Sequence, residues 1–338
     1  MNLELLHGTE IHRLILSIVF CSLAWGPSAH SAAALESIVI AYPTTSSQFI
    51  PLWFARDVGL YEKYGLDGQL VFIQGGSILL QAMLAGQAHA AQNGIAETMV
   101  AVLRGGDVKI LGVTSNIFPY SLIVSKGVKS AKDLVGGRIA VNRVGGDVSA
   151  IASRVALRNL GLNPDKDVTM LQVGGSPQRL AALQSGAVQG AALDFMSGLR
   201  LSKQGYTVLA QVSLNYPYLG PVVSGRFLRE KPAIAEAFVK AYVESIGRFK
   251  RNREEGIKAL ARYMKSDETD VLNKAYDFIA NEFYTENLEP EPKSFQELVD
   301  EVGAREPLAK NATIPQVFDL TIVRKLEKEG FFKTVFKK

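Results

Sequence analysis

FIQGGSILLQAMLAGQAHAAQN, Phe72 to Asn93, decides the fold, because its plan returns as LQVGGSPQRLAALQSGAVQGAALD, Leu171 to Asp194. Each copy starts as a short apolar strand, turns at Gly-Gly-Ser and continues as an apolar-periodic helix to Gly86 or Gly186. Each then ends in a small-residue strand at Asn93 or Asp194. This is the length of one parallel crossover. Gly-Gly allows a tight turn, and the spacing puts Ser77 or Ser176 at the helix N-cap, where free amide N–H groups point outward. Working outward, Val39-Ile40-Ala41 matches Ile139-Ala140-Val141 at an offset of 100 residues. The two Gly-Gly-Ser turns are 99 apart, and Leu111 and Leu209 are 98 apart. Near-constant offsets across three elements predict two similar lobes.

The 338 residues, 47% hydrophobic and 21% charged, have the composition of a globular protein of about two domains. The amino end differs. Arg13 precedes the apolar run Leu14 to Trp25, followed by Gly26-Pro27 and small residues to Ala33, which is the three-part plan of a secretory leader. The run is short for a membrane span, so residues 1–31 read as removed, with cleavage after Ser31 or Ala33. Cys21, His7, His12 and His30 leave with them, and His89 is the histidine that remains. Phe20 before Cys21 argues against lipid attachment, so the expectation is a free protein in the periplasm. Without Glu4, Glu10 and Arg13 the chain keeps 36 basic and 31 acidic residues of its 37 and 33. That excess forms no Lys/Arg stripe, which excludes nucleic acid as the expected partner.

Ser37 to Tyr42 reads as a buried strand, Pro51 to Val58 as a helix capped by Ser46 or Ser47, and Leu70 to Ile73 as the next strand. A helix over Thr98 to Leu103 and a strand over Val108 to Thr114 follow. Two related segments, Asn116-Ile117-Phe118-Pro119-Tyr120-Ser121 and Asn215-Tyr216-Pro217-Tyr218-Leu219-Gly220, then read as the two crossings between lobes. Lobe one is therefore expected to hold residues 36–120 and 217–338, and lobe two residues 121–216. Past the second crossing, Lys231 to Lys250, Glu254 to Met264, Glu268 to Phe283 and Ile314 to Glu329 have helical apolar spacing. His89, between two alanines, reads as a packed structural imidazole, whereas Phe195 and Tyr216 are open between core and ligand contact.

Pro51 with Ala55, Gly59-Leu60, Gly65-Leu66, Gly75-Gly76-Ser77 and Leu84-Ala85-Gly86 together resemble the substrate-binding proteins of ABC importers for nitrate, sulfonates, taurine and thiamine precursors. The resemblance spans nearly all of the chain after the leader. It implies an α/β, two-lobed periplasmic-binding-protein fold of type II, each lobe a mixed sheet flanked by helices and joined by two crossover segments. It also implies ABC permease subunits and a cytoplasmic ATPase as partners, no cofactor and a monomeric protein. The family usually has an acidic residue where His89 stands, and Gln189 holds the matching place in lobe two.

Ligands of open α/β sheets sit beyond the carboxyl ends of the strands. The expected contacts from lobe one are Thr44, Ser46, Gln48, Gly76, Ser77, Asn93, Ser115 and Asn116. From lobe two they are Arg143, Gly146, Asp147, Ser149, Gly175, Ser176, Asp194, Asn215 and Tyr216. Converging helix amino ends with Arg143 suit an anionic group, sulfonate or carboxylate, while Asp194 suits an amine or an amino-pyrimidine. Related pyrimidine synthases share the fold. One histidine and no remaining cysteine supply neither a metal site nor a histidine pair, so neither a metal site nor catalysis is expected.

Overall fold

Strand β1 (Glu36–Tyr42) carries the consecutive β-branched run Ile38-Val39-Ile40, and it pairs in parallel with β2 (Leu66–Phe72) along its whole length, Glu36 beside Leu66 and Tyr42 beside Phe72. On its other side lies β3 (Ala90–Gly94), parallel at Ala90 and Ala91. All five residues of β3 are buried, and its small side chains let helices cover both faces. Three further strands complete this sheet: β4 (Val108–Ile110), β5 (Ser115–Ile117) and β11 (Asn215–Ser224). The order is β2-β1-β3-β11-β4, with β5 on β11, and β11 antiparallel to β3, β4 and β5.

The second sheet repeats the plan with β6 (Tyr120–Val124), β7 (Arg138–Val141), β8 (Thr169–Gln172), β9 (Gly190–Asp194) and β10 (Thr207–Gln211). Its order is β10-β6-β9-β7-β8, parallel through β9, β7 and β8 and antiparallel at β6. The chain is thus an α/β protein of two mixed sheets flanked by helices. The computed structural model describes residues 34–144, 147–212 and 215–337; the expected leader with Cys21, and Gly146, lie outside the described residues. Leu35–Lys338 form one unit.

The chain passes between the sheets at Phe118-Pro119, between β5 and β6, and again between the end of β10 and the start of β11, so the crossing expected at Asn215 to Gly220 lies instead inside β11 of the first sheet. The two links lie side by side, because β5 pairs with β11 at Asn215 and Leu219 and the Val212 N–H donates to the Tyr120 carbonyl. The C-terminal helices Pro232–Arg251, Arg253–Met264 and Pro292–Gly303 pack on the first sheet's side, on the helix Ile50–Asp57 and on β11. A large core cluster includes Ile38, Ile40, Phe54, Tyr242 and Phe249. A smaller one, around Ile123, Leu183, Leu193 and Leu201, belongs to the second sheet. No helix among the described residues is long and apolar enough to cross a membrane.

Several local expectations are corrected. The strand expected from Leu70 begins at Leu66, and the helix expected from Thr98 begins at Ile95. The single strand from Val108 to Thr114 stops at Ile110, and β5 starts separately at Ser115. The final helix is broken into Ile314–Val317, Thr321–Lys328 and Phe331–Val335, because Phe318 bridges in parallel to Ile110 and the Asp319 N–H donates to the Ile110 carbonyl. An open sheet edge there outcompetes helix continuation. Ser77 and Ser176 are not N-caps: Gly75 and Gly175 hold those positions, and neither helix has a side-chain cap.

Candidate functional site

The two Gly-Gly turns meet across the gap between the sheets. Gly75 and Gly174 adopt φ of +88° and +112°, and a Cβ on Gly174 would lie 2.7 Å from the Gln74 side chain of the first turn. A Cβ on Gly75 would reach Asn142 at 3.5 Å, and one on Gly175 would reach Thr44 at the same distance. The missing side chains therefore bring the turns into contact as well as freeing the backbone. Between them is a cavity of about 30 Å³, room for one or two waters. Thr44, Gly76, Asn93, Asp147, Ser149, Gly175 and Ser176, all expected from the sequence, line it. The N-terminal ends of the helices Gly76–Leu84, Ile95–Leu103, Val148–Asn159 and Ser176–Gln184 converge there.

Residues that sequence reasoning missed give the cavity its chemistry. Arg179 is 2% exposed. Its guanidinium donates to the carbonyls of Ala192 (3.0 Å) and Gly174 (2.8 Å) and to the Ser176 hydroxyl (3.0 Å). No carboxylate pairs with it among the described residues, so a full positive charge is held at the cavity wall by neutral acceptors. The signal was present. Arg179 lies one helical turn past Ser176 on the buried face, where the first copy has Leu80.

Glu97 faces the opposite way chemically. It is 8% exposed, and its Oε2 atom has no hydrogen-bond partner. Burial, with the charge of Asp147 adding to it, pushes its carboxyl up to about 8, although its own N–H and that of Val148 oppose the shift. Asn93 Oδ1 and Thr44 Oγ1 are also buried without partners, whereas Asn93 Nδ2 donates to Thr98 Oγ1 at 3.1 Å. Gly76 makes this grouping possible: a Cβ there would sit 2.8 Å from Asn93 Oδ1 and 3.2 Å from a Glu97 oxygen. Tyr120, its hydroxyl raised to about 12 chiefly by burial, closes the floor with Phe49 and Tyr218.

Asp147 caps the helix Val148–Asn159, accepting from the N–H groups of Ser149 (3.0 Å) and Ala150 (3.2 Å), and from Asn142 Nδ2 at 2.8 Å. Together with Glu97 it also lines an outer chamber of about 470 Å³, which holds the expected Ser77 and Arg143 beside Arg104, Arg154 and Arg305.

The remaining expected contacts lie elsewhere. Ser46 and Gln48 are buried and bonded to each other, and the Gln48 carbonyl accepts from Gln92 and Tyr284. Ser115 bonds the backbone of Ile117. Asn116 is half-buried beside it, and Asn215 is exposed opposite Ile117. Asp194 is buried as the cap of Phe195–Lys203, accepting from the Ser197 N–H and hydroxyl. Tyr216 lies within β11, and its side chain falls outside the description. Phe195 stacks on Phe278 at 4.2 Å.

His89 is structural in a way the repeat explains. Its Nδ1 accepts from the Val39 N–H at 3.0 Å, and its ring stacks on Phe227 at 5.0 Å. In the second copy, Gln189 Oε1 accepts from the Arg138 N–H at 2.8 Å. Both side chains satisfy the neighbouring strand's amide.

The family model described as NMT1/THI5-like matches residues 46–255. A Brucella abortus protein provisionally named a binding protein is 24% identical over 227 residues, 65% of this chain and 69% of its own. Among solved structures, a Bordetella bronchiseptica protein superposes with a TM-score of 0.74 at 20% identity, covering 87% of this chain and 97% of that one. The alkanesulfonate-binding protein of Xanthomonas axonopodis bound to MOPS gives 0.67 at 19% identity over 85% and 99%. The nitrate-binding protein of Synechocystis gives 0.66 at 15% over 87% and 89%. These are proteins of the same two-lobed fold.

Proposed function

This chain belongs to the NMT1/THI5-like family, and from that premise we propose that it is the exported solute-binding component of an ABC importer, taking a small organic anion between its lobes and delivering it to a membrane permease. The observation that carries this reading is Arg179: a buried guanidinium with no carboxylate partner, at a cavity ringed by helix amino ends, suits a sulfonate or carboxylate. A cavity of about 30 Å³ requires the lobes to part for such a ligand and close around it, with bending where the chain passes between the sheets, at Phe118-Pro119 and between β10 and β11. Closure is then the signal the permease reads.

The reading involves binding without chemistry, since His89 is tied to Val39 and Phe227. A second reading, an amino-pyrimidine, draws on the acceptors of Asn93 and Glu97 and on the rings of Tyr120 and Tyr218. A thermal-shift screen of sulfonates, carboxylates, nitrate and pyrimidines tests both. Stabilisation by an anion, with a smaller radius of gyration in scattering, is the expected result. Stabilisation by a neutral pyrimidine alone would favour the second reading, and an unchanged scattering curve with binding established would remove the hinge.

A further inference from the structure

The outer chamber of about 470 Å³ has no part in holding an anion at Arg179. Arg104 and Arg305 line it from the first sheet's side, Arg143 and Arg154 from the second. The charges of this wall do not balance. Arg104 pairs with Glu306, and Glu301 with Arg158. Arg154 and Arg305, from opposite lobes, share the single carboxylate of Asp165, and Arg143 has no partner among the described residues. Asp147 is turned to its own helix, where it accepts from the Ser149 and Ala150 amides, and burial keeps the Glu97 carboxyl largely neutral. Three guanidinium groups therefore face one paired carboxylate. Arg154 adds a second, independent observation: it is 5% exposed, its Nη1 donates to Asp165, and its Nε has no partner. Buried polar atoms are nearly always satisfied, so a donor left over in a chamber wall marks a place for an acceptor.

We propose that the outer chamber is a second binding site, for a divalent tetrahedral oxyanion of the sulfate or phosphate class, held by Arg143 and Arg154 from one lobe and Arg305 from the other. Guanidinium forks match the oxygens of such an ion, and its two charges answer the excess on the wall. The chamber has room for the ion with part of its water shell, which the inner cavity of about 30 Å³ does not. Because the three arginines come from both lobes, an ion that engages all of them binds the closed arrangement better than the parted one. It therefore shifts the lobes toward closure, and by linkage it tightens whatever the inner cavity holds. The proposal does not depend on which ligand that is.

The test follows the melting temperature of the full mature chain in millimolar sodium sulfate or sodium phosphate, against sodium chloride at equal ionic strength. At least one of the two oxyanions is expected to raise it saturably, by about 2 °C or more over chloride, with a smaller radius of gyration in scattering. Both salts also stabilise proteins by exclusion from the surface, but that effect neither saturates at millimolar concentration nor depends on single arginines. Arg143→Gln and Arg305→Gln, both at partly exposed positions and each compared with its own melting curve in chloride, should raise the half-saturating concentration by about tenfold or abolish saturation. No saturable gain over chloride overturns the inference, and so does a gain that survives in both variants. A gain that is lost in Arg179→Met and kept in Arg143→Gln and Arg305→Gln places the ion in the inner cavity, which overturns the second site and leaves the anion reading standing.

Discussion

The two copies of the strand-helix-strand unit share a backbone plan and differ in what they present to the gap. On the first sheet's side, Thr44, Asn93 and Glu97 line the cavity and each bury an oxygen without a partner. On the second sheet's side Ser149, Ser176, Arg179 and Asp194 are satisfied internally by caps and carbonyls. One wall is therefore built with unmet acceptors and the other with a fixed cation. A repeated fold supplies the geometry, and a few substitutions, Arg179 for Leu80 and Glu97 against Ser197, supply opposite chemistries.

The strongest way to break this contrast is at Arg179. Arg179→Met is expected to weaken anion binding by about 100-fold or more, the scale of charge-assisted bonds in a buried site, roughly 3 kcal/mol. Calorimetry against the best ligand of the screen measures it. A loss below about fivefold would show that the cation is structural and the walls are not chemically opposed.

The next effect is a pH dependence from the other wall. Glu97 titrates near 4.5 when unfolded and near 8 when folded. Between those values the folded chain keeps a proton that the unfolded chain releases, so stability falls as pH rises through this window, by at most about 1.4 kcal/mol per unit. Glu97→Gln removes that loss. Its melting temperature should gain on the wild type by about 3 °C or more between pH 5 and pH 8.5, and parallel curves would mean that Glu97 is ionised and paired.

A smaller effect concerns what holds the walls together. Arg158 bridges to Glu301 and Arg305 to Asp165, each at 2.6 Å, on one flank; Arg200 bridges to Glu268 at 2.8 Å on the other. These partly exposed pairs are each worth about 0.2–1 kcal/mol and are screened by salt. Glu301→Gln with Asp165→Asn should reduce ligand affinity less than tenfold, and the difference from wild type should shrink in 0.5 M salt, ~4 Å Debye length. A salt-independent difference would place the effect in packing.

The smallest prediction sharpens the repeat itself. Burial, with Lys231 as the second cause, lowers the His89 imidazole below its usual range, so on acidification the unfolded chain takes the proton first and stability is lost as pH falls through the folded value. His89→Gln copies Gln189 and should flatten the melting profile between pH 7 and pH 5. At pH 7 it should change stability by within about 1 kcal/mol, the worth of the stacking on Phe227.

Periodicity, glycine placement and the internal repeat determined the two α/β sheets, the crossing at Pro119 and seven residues of the cavity wall, because local backbone chemistry decides where strands stop and helices begin; Pro217, expected at the second crossing, lies inside β11. The same local rules placed Asp194 and Asn215 at the gap, yet a capping carboxylate turns back into its own helix and Asn215 is taken up by β11, opposite Ile117. Tertiary structure alone decided that Glu97 and Arg179 face each other's wall. Each stands near the start of its helix, Glu97 in Ile95–Leu103 and Arg179 in Ser176–Gln184, where the sequence does not distinguish a solvated charge from one driven into the core. The difference is set by the cavity that both residues line, which joins helices far apart in the chain and which no local period encodes.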